Sequence, residues 1–335
     1  MSKTIIPKNY CSVLSLYETQ TAIGIIKRTF EDKLSAALNL KRVSAPLFVE
    51  PSTGLNDDLN GIERAVVFDI AHAEADGAVV HSLAKWKRYA LYKYNFPVGE
   101  GIYTDMNAIR RDEEMDNLHS IYVDQWDWEK VITQKQRDID FLKSVVRAEV
   151  KAMCETNAYI KQLFPQLTIE LCEDVTFITT QELEDLYPDL TPKERENAHA
   201  KKHKTIFVMK IGGLLESGIR HDGRAPDYDD WELNGDIVFW NDVLGMAFEV
   251  SSMGIRVDKA ALEKQLKEAN AENRKTMMFH SLLLNDTLPL TIGGGIGQSR
   301  LCMLLLGKAH VGEVQASIWN NETKEACSAA GIELL

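Results

Sequence analysis

Apolar residues recur at one-turn intervals near the start of the chain. Val13, Leu16, Tyr17, Ile23, Ile26, Phe30 and Leu34 line one face, and the spacing predicts a long helix over 9–38. The pattern then shortens. "KRVSAPLFVE", "RAVVFDI" and "AVVHS" are rich in β-branched residues and read as strands, the last followed by a helical "LAKWKRYALYKYN". "GIYTDMNAI" and "SIYVDQWDWE" read as two strands joined by the charged loop "RRDEEMDNLH". Helical spacing returns over 129–162, and "VTFITT" is a short strand followed by helical pieces to about His203. "TIFVMKI", "DIVFW" and "AFEVSSMGI" are further strands. Two helices over 258–285 and the strand "PLTI" lead into a glycine loop and a final helix.

Short turns separate these strands as often as helices do, so strict βαβ alternation is absent. The expectation is an α+β fold with a mostly antiparallel sheet flanked by helices. No linker, repeat or low-complexity segment interrupts the chain, which predicts one catalytic domain over 1–335 with its core ending near residue 320. Hydrophobic residues at 45% and charged residues at 26% fit a soluble globular protein, and no apolar run reaches the ~18–20 residues of a membrane span. The opening "MSKTIIPKNYCSV" lacks a basic segment followed by an apolar one, so a cytoplasmic protein without a signal peptide is expected. A net charge of −12 argues against nucleic-acid binding, which needs a basic surface, but leaves room for one local cationic pocket. Five cysteines, scattered and without a CxxC, predict reduced thiols rather than a zinc site.

Within this frame several clusters carry possible chemistry. In "TIGGGIGQSRLCMLLL", Gly293, Gly294 and Gly295 precede Arg300. No Lys-Ser/Thr follows, so it is not a Walker loop, and no βαβ unit surrounds it. Bare backbone admits a ligand closely, the following helix offers a positive end, and Arg300 supplies a planar fork for phosphate. The same stretch equally suits a tight turn with a helix packed beneath it. The strand "YVDQWDWE" alternates, so Gln125 and Asp127 share one face and Trp126 and Trp128 the other, as the wall of a polar pocket or a half-exposed strand would. "RHDGRAPDYDDWELNGDIVFWNDVLGMAFEVSSMGIR" is crowded with acids. Asp236 and Glu249 stand inside strand-like runs, where an acid needs a partner such as Mg²⁺ bridging polyphosphate oxygens. In "VHSLAKWKR", Ser82 ends a strand and Lys85, Lys87 and Arg88 open a helix, either to hold a substrate carboxylate or as a solvated basic face. In "LNDDLNG", Asp57 and Asp58 suit capping or binding.

An arginine loop between antiparallel strands, then an acidic strand, then a glycine strand with an Arg-bearing helix, resembles the class II aminoacyl-tRNA synthetase catalytic core. "VHSLAKWKR", "HSIYVDQWDWE", "RAPDYDDW", "LNGDI", "SSMGIRVD" and "TIGGGIGQSRL" in particular resemble the ammonia-dependent asparagine synthetases, also called aspartate–ammonia ligases. The resemblance implies ATP-dependent amidation of L-aspartate by ammonia through β-aspartyl-AMP, releasing AMP and pyrophosphate. It implies that Arg110 contacts the α-phosphate and Arg300 the terminal phosphates. Asp236 and Glu249 would hold Mg²⁺ beside Ser252, and Gly293, Gly294 and Gly295 would let ATP lie against the backbone. Ser82 and Lys87 would hold carboxylate groups. Gln125, Asp127 and Asp229 would take the α-ammonium and polar edges, and Asp57 would receive ammonium. Only Glu232 separates "DYDDW" from "LNGD", where some relatives carry a longer insertion. Class II cores usually pair through their first long helix and neighbouring strand, so a homodimer is expected by analogy.

Three rivals follow. A synthetase-like paralogue would pass its aminoacyl adenylate to another acceptor, but −12 suits tRNA poorly and fewer than 60 residues precede the core strands. A scaffold that has lost catalysis would not be expected to keep Arg110, Asp236, Glu249 and Arg300 together. Glutamine-dependent transfer needs a glutaminase, often with an N-terminal cysteine nucleophile, whereas Cys11 is expected inside a helix.

Overall fold

The computed structural model describes residues 4–57 and 63–335. Asp58 and the end of the "LNDDLNG" turn lie outside them. The first helix, α1 (Leu16–Leu38), begins later than the periodicity predicts. Ser15 caps it through a reciprocal pair with Glu18, and Asn39 ends it in the left-handed conformation, so the side-chain cap rather than the apolar stripe sets its start. Residues 9–15 lie outside the helix, and Cys11 is exposed there rather than helical.

The chain continues through β1 (Leu40–Arg42), β2 (Phe48–Val49), β3 (Val67–Ile70), β4 (Ala75–Val79) and α2 (Ala84–Lys93). Next come β5 (Gly101–Ile109), β6 (Tyr122–Val131), α3 (Ile139–Leu163), β7 (Thr176–Thr179), α4 (Thr180–Leu186) and α5 (Pro192–His203). Then follow β8 (Thr205–Met209), β9 (Asp229–Asn241), β10 (Met246–Arg256), α6 (Lys259–Glu268) and α7 (Met278–Leu284), and last β11 (Thr291–Gly297), α8 (Gln298–Leu305) and α9 (Asn321–Ala329). Residues 129–131, expected in a helix, belong to β6, and α3 starts only at the Asp138 cap.

Eight strands form one sheet in the order β1-β5-β6-β11-β10-β9-β8-β7. Five of its seven joints are antiparallel. The parallel joints, β1 with β5 and β7 with β8, are the outermost ones. The expected mostly antiparallel sheet is found, with its two parallel joints at the margins. A separate three-stranded sheet, β2-β4-β3, was not foreseen.

The glycine stretch is a central strand, not a loop. β11 pairs with β6 on one side and β10 on the other. Its glycines do not adopt positive φ, so their purpose is close approach. A Cβ on Gly293 would overlap the Glu129 carboxylate, and one on Gly295 would lie 2.5 Å from Gln125 Oε1.

One face of the large sheet packs on helices. Ile26, Phe30 and Leu34 of α1, Val146, Val150 and Met153 of α3, and Leu301 to Leu305 of α8 meet Trp126, Trp128, Phe248 and Met253 in one core. That core draws residues from Leu14 to Trp319. The segment after residue 320 folds into α9, whose Cys327 packs with Ala309 and Ile332.

Glu149 of α3 lies inside this helical layer with no exposed surface. It accepts a hydrogen bond from Ser251 Oγ at 3.3 Å, and burial pushes its carboxyl up from 4.5 to about 8. Across that window the folded protein keeps a proton that the unfolded chain has lost, so this group lowers stability as pH rises. Urea unfolding should show Glu149→Gln gaining on the parent between pH 5 and pH 9; a difference independent of pH would contradict this.

Candidate active site

The opposite face of the sheet forms the floor of a polar cleft of about 440 Å³. β6 contributes Gln125 and Asp127 by simple alternation and buries Glu129 on the same face, while Trp126 and Trp128 point into the helical layer. β10 contributes Glu249, Ser252 and Arg256, and here alternation alone fails. Positions 249 and 252 differ by an odd number and would face opposite sides of a regular strand. The pairing with β9 shifts register between Glu249 and Ser251, and a second shift falls between Gly254 and Arg256. The first bulge returns Ser252 to the same face as Glu249, and both line the cleft.

Arg256 anchors the buried end. Its guanidinium donates to Glu129 Oε2 at 2.7 Å and also pairs with Asp229. Thr291 Oγ1 donates to Glu129 Oε1 at 2.6 Å. Burial would raise the Glu129 carboxyl, but Arg256 and Lys87 hold it below its usual range. The pair crosses Gly293, which explains the missing side chain there. Beside it, Lys87 Nζ donates to the Gly294 carbonyl at 2.8 Å and stands 3.2 Å from Asp127 Oδ2. Burial lowers the Lys87 pKa, and Asp127 opposes that.

The basic start of α2 is not a solvated face: Lys85, Lys87 and Arg88 are all buried. Arg88 donates to the carbonyls of Val257 and Pro289. Lys85 pairs with Asp227 at 3.1 Å, where His280 and Arg274 also converge. Burial opposes ionisation of Asp227, but the charges of Lys85 and Arg274 and the hydrogen bond with His280 keep its pKa far below normal. This knot ties α2 to the loop that delivers Tyr228 and Asp229 to the cleft.

The more exposed wall carries cations. Arg110, directly after β5, is 25% exposed and Arg300 of α8 21%, against 2% for Lys87. Arg300 donates to the Glu249 carbonyl at 3.1 Å and lies 3.5 Å from its carboxylate. The first-turn amide of Ser299 already donates to Asp124 Oδ1 at 3.1 Å, so the guanidinium rather than the start of α8 is the group offered to an anion. Arg224 joins this wall and pairs with Asp236. Burial, with Glu249 nearby, lifts Asp236 to about 7 against the pull of Arg224. Burial acts the same way on Glu249, but Arg300, Lys193 and Arg224 outweigh it and hold that carboxyl near 2.

The cleft therefore gathers most residues singled out in the sequence. Asp57, Ser82, Lys87, Arg110, Gln125, Asp127, Asp229, Glu249, Ser252, Gly294, Gly295 and Arg300 line it. Asp236 stands behind Arg224 and Gly293 beneath the Arg256–Glu129 pair, so neither forms its wall. Sequence reasoning missed Arg224, Arg256, Glu129 and His81. Glu129 shares the face already assigned to Gln125 and Asp127, so alternation held the signal. Arg256 shares a face with Ser252 by the same alternation, so its signal was local too.

Comparison with known proteins fits this geometry. The sequence profile of the aspartate-ammonia ligase family matches residues 17–331. An aspartate–ammonia ligase of Clostridium tetani is 61% identical over 99% of this chain and 98% of its own length. One from Ruminiclostridium cellulolyticum is 59% identical over the whole of both chains. Among solved structures, asparaginyl-tRNA synthetase from Pyrococcus horikoshii, complexed with asparaginyl-adenylate, superposes with a TM-score of 0.64 at 14% identity, over 90% of this chain and 70% of that one. The Entamoeba histolytica enzyme gives 0.62 at 12% identity, over 90% and 66%. These likenesses show the class II synthetase fold.

Arg256→Met would leave Glu129 and Asp229 buried without their countercharge. Such a change should cost about 3–5 kcal/mol, read as a lower urea midpoint at unchanged slope. A loss under about 1 kcal/mol would mean that the pair is not the anchor described.

Proposed function

This chain belongs to the aspartate–ammonia ligase family, and we propose that its cleft converts L-aspartate, ammonia and ATP into L-asparagine, AMP and pyrophosphate through β-aspartyl-AMP. The observation that carries this reading is the division of one cleft into an outer wall with Arg110, Arg224 and Arg300 and a buried wall with Lys87, Asp127 and the Arg256–Asp229 pair. Triphosphate suits the first and a small zwitterion the second.

A carboxylate is a poor acyl donor because it would have to expel oxide. Attack of the aspartate β-carboxylate on the α-phosphorus supplies a leaving group and places growing charge on the phosphate oxygens. Cations fixed there in advance stabilise that charge more than water does. Arg110 contacts the α-phosphate and Arg300 the terminal phosphates. Gly294 and Gly295 keep the floor bare where the nucleotide lies, and Gly293 does so indirectly by seating Arg256. Ser82 and Lys87 hold carboxylate groups, while Gln125, Asp127 and Asp229 face the α-ammonium and polar edges. Asp57, bonded to Ser82 Oγ at 3.0 Å, receives ammonium.

Glu249, with Ser252 beside it, would hold Mg²⁺ at the cleft wall, and Asp236 would join it on release from Arg224. The charges of the two carboxylates act on each other, and Mg²⁺ commonly takes one or two carboxylates with substrate phosphates completing its shell. Bound there, the ion would withdraw charge from the phosphates.

The chain acts as a single catalytic domain and pairs into a homodimer. Val13, Leu16 and Tyr17 expose apolar surface where α1 begins, and β1 leaves a sheet edge beside that helix. Five free cysteines fit a reducing cytoplasm. No helix among the described residues is long and apolar enough to cross a membrane.

Incubation with Mg-ATP, aspartate and ammonium chloride should yield asparagine, AMP and pyrophosphate in equal amounts, with no gain from glutamine or tRNA. AMP accompanied by charged tRNA would instead favour the synthetase-like reading. Arg300→Ala should slow aspartate-dependent ATP–pyrophosphate exchange about 10²–10³-fold; near-normal exchange would remove its phosphate role.

A further inference from the structure

The reaction requires a neutral nucleophile, and ammonium must lose a proton beside the activated carbonyl. One buried side chain at the cleft wall keeps a basic nitrogen uncommitted. His81 lies between β4 and α2, is buried, and lines the cleft with its sequence neighbour Ser82 and with Asp57. Its ring Nδ1 stands 2.9 Å from the Asp57 carbonyl oxygen. A carbonyl only accepts, so Nδ1 must carry a hydrogen. In the neutral ring that leaves the lone pair on Nε2, which is shielded from solvent and has no hydrogen-bond partner among the described residues. Asn56 fixes the surrounding backbone: its Oδ1 accepts from both the Asp57 and His81 amides at 2.9 Å, and its Nδ2 donates to the Val79 carbonyl. A buried imidazole with one nitrogen committed and the other left over has a preset tautomer.

We propose that His81 is the general base that deprotonates ammonium in the second half-reaction, with Asp57 holding the cation beside it. The proposal rests on the ligase reading above. An imidazole is a stronger base than a carboxylate in water, so the two neighbours divide the work: Asp57 attracts the charge and His81 removes the proton. One N–H electron pair of ammonium stays on nitrogen as its proton passes to His81 Nε2. The lone pair then forms the C–N bond at the β-carbonyl carbon of β-aspartyl-AMP. Collapse of the tetrahedral intermediate breaks the bond to the phosphate oxygen, and AMP leaves with that electron pair. The extra proton on the new amide nitrogen goes to the departing phosphate. The imidazolium returns its proton to solvent after release.

Hydroxylamine tests this directly, because it is largely unprotonated at neutral pH and needs no base before it attacks. His81→Asn retains a donor for the Asp57 carbonyl and removes the basic nitrogen. The variant should keep aspartate-dependent ATP–pyrophosphate exchange and β-aspartyl hydroxamate formation within about threefold of the parent. Its ammonia-dependent asparagine formation should fall about 10²–10⁴-fold, and added imidazole should restore part of it in His81→Gly. Equal losses with ammonia and hydroxylamine would make His81 structural, and undiminished asparagine formation would remove it from proton transfer. Failure of the parent protein in the exchange assay would overturn the ligase reading itself, which these outcomes in the variant would not.

Discussion

A desolvated guanidinium sets the geometry of this protein. Arg256 is almost wholly buried between Glu129 and Asp229. A charge so far from water persists only with its countercharges in place. Meeting that condition binds the end of β10 to β6 and to the start of β9, across β11. It also requires β11 to have no side chain at Gly293, where the Glu129 carboxylate fills the space a Cβ would need. The run of glycines is thus a packing requirement of the ionic pair as much as an opening for ligand.

Other buried charges extend this frame. Lys87 locks α2 to β11 through the Gly294 carbonyl and to β6 through Asp127. Asp227, with Lys85, Arg274 and His280, fixes the loop before β9. Each contact joins elements far apart in sequence, and together they make the inner wall rigid. Two of the outer cations, Arg110 and Arg300, are less committed. Arg110 stands 3.8 Å from Glu113, a weak pairing that phosphate can replace. Fixed charges inside and replaceable ones outside suit a site that grips a small zwitterion deeply and exchanges nucleotide at its mouth.

On the reading proposed here, the same layout separates two chemistries in one cleft. Phosphoryl charge is met by guanidinium groups that stay ionised at any working pH. Nitrogen capture is handled at the Asp57, His81 and Ser82 corner, where the polar groups are shorter and more deeply enclosed. A shielded corner of that kind favours uncharged ammonia over ammonium once the proton has gone.

Much of this was legible in the chain. Alternation in "YVDQWDWE" placed Gln125 and Asp127 on one face and the tryptophans on the other, because the strand is regular and period two is local. Acids inside strand-like runs marked Asp236 and Glu249, and motif resemblance supplied the synthetase core. The start of α1 was misplaced because a capping pair, Ser15 with Glu18, overrides apolar spacing. Three features needed the tertiary structure. The glycines read as a loop because bare backbone has no pattern of its own, and only the pairing with β6 and β10 on either side shows that it is a strand. The bulge in β10 breaks period two, so the shared face of Glu249 and Ser252 could not be counted along the sequence. The partners of Arg256, Lys87 and His81 lie from 24 to 207 residues away, and a countercharge or an orphaned nitrogen exists only once the folded chain brings those positions together. Local sequence determined the elements and the inventory of charges. Long-range packing decided which charges are spent on one another and which remain for a ligand.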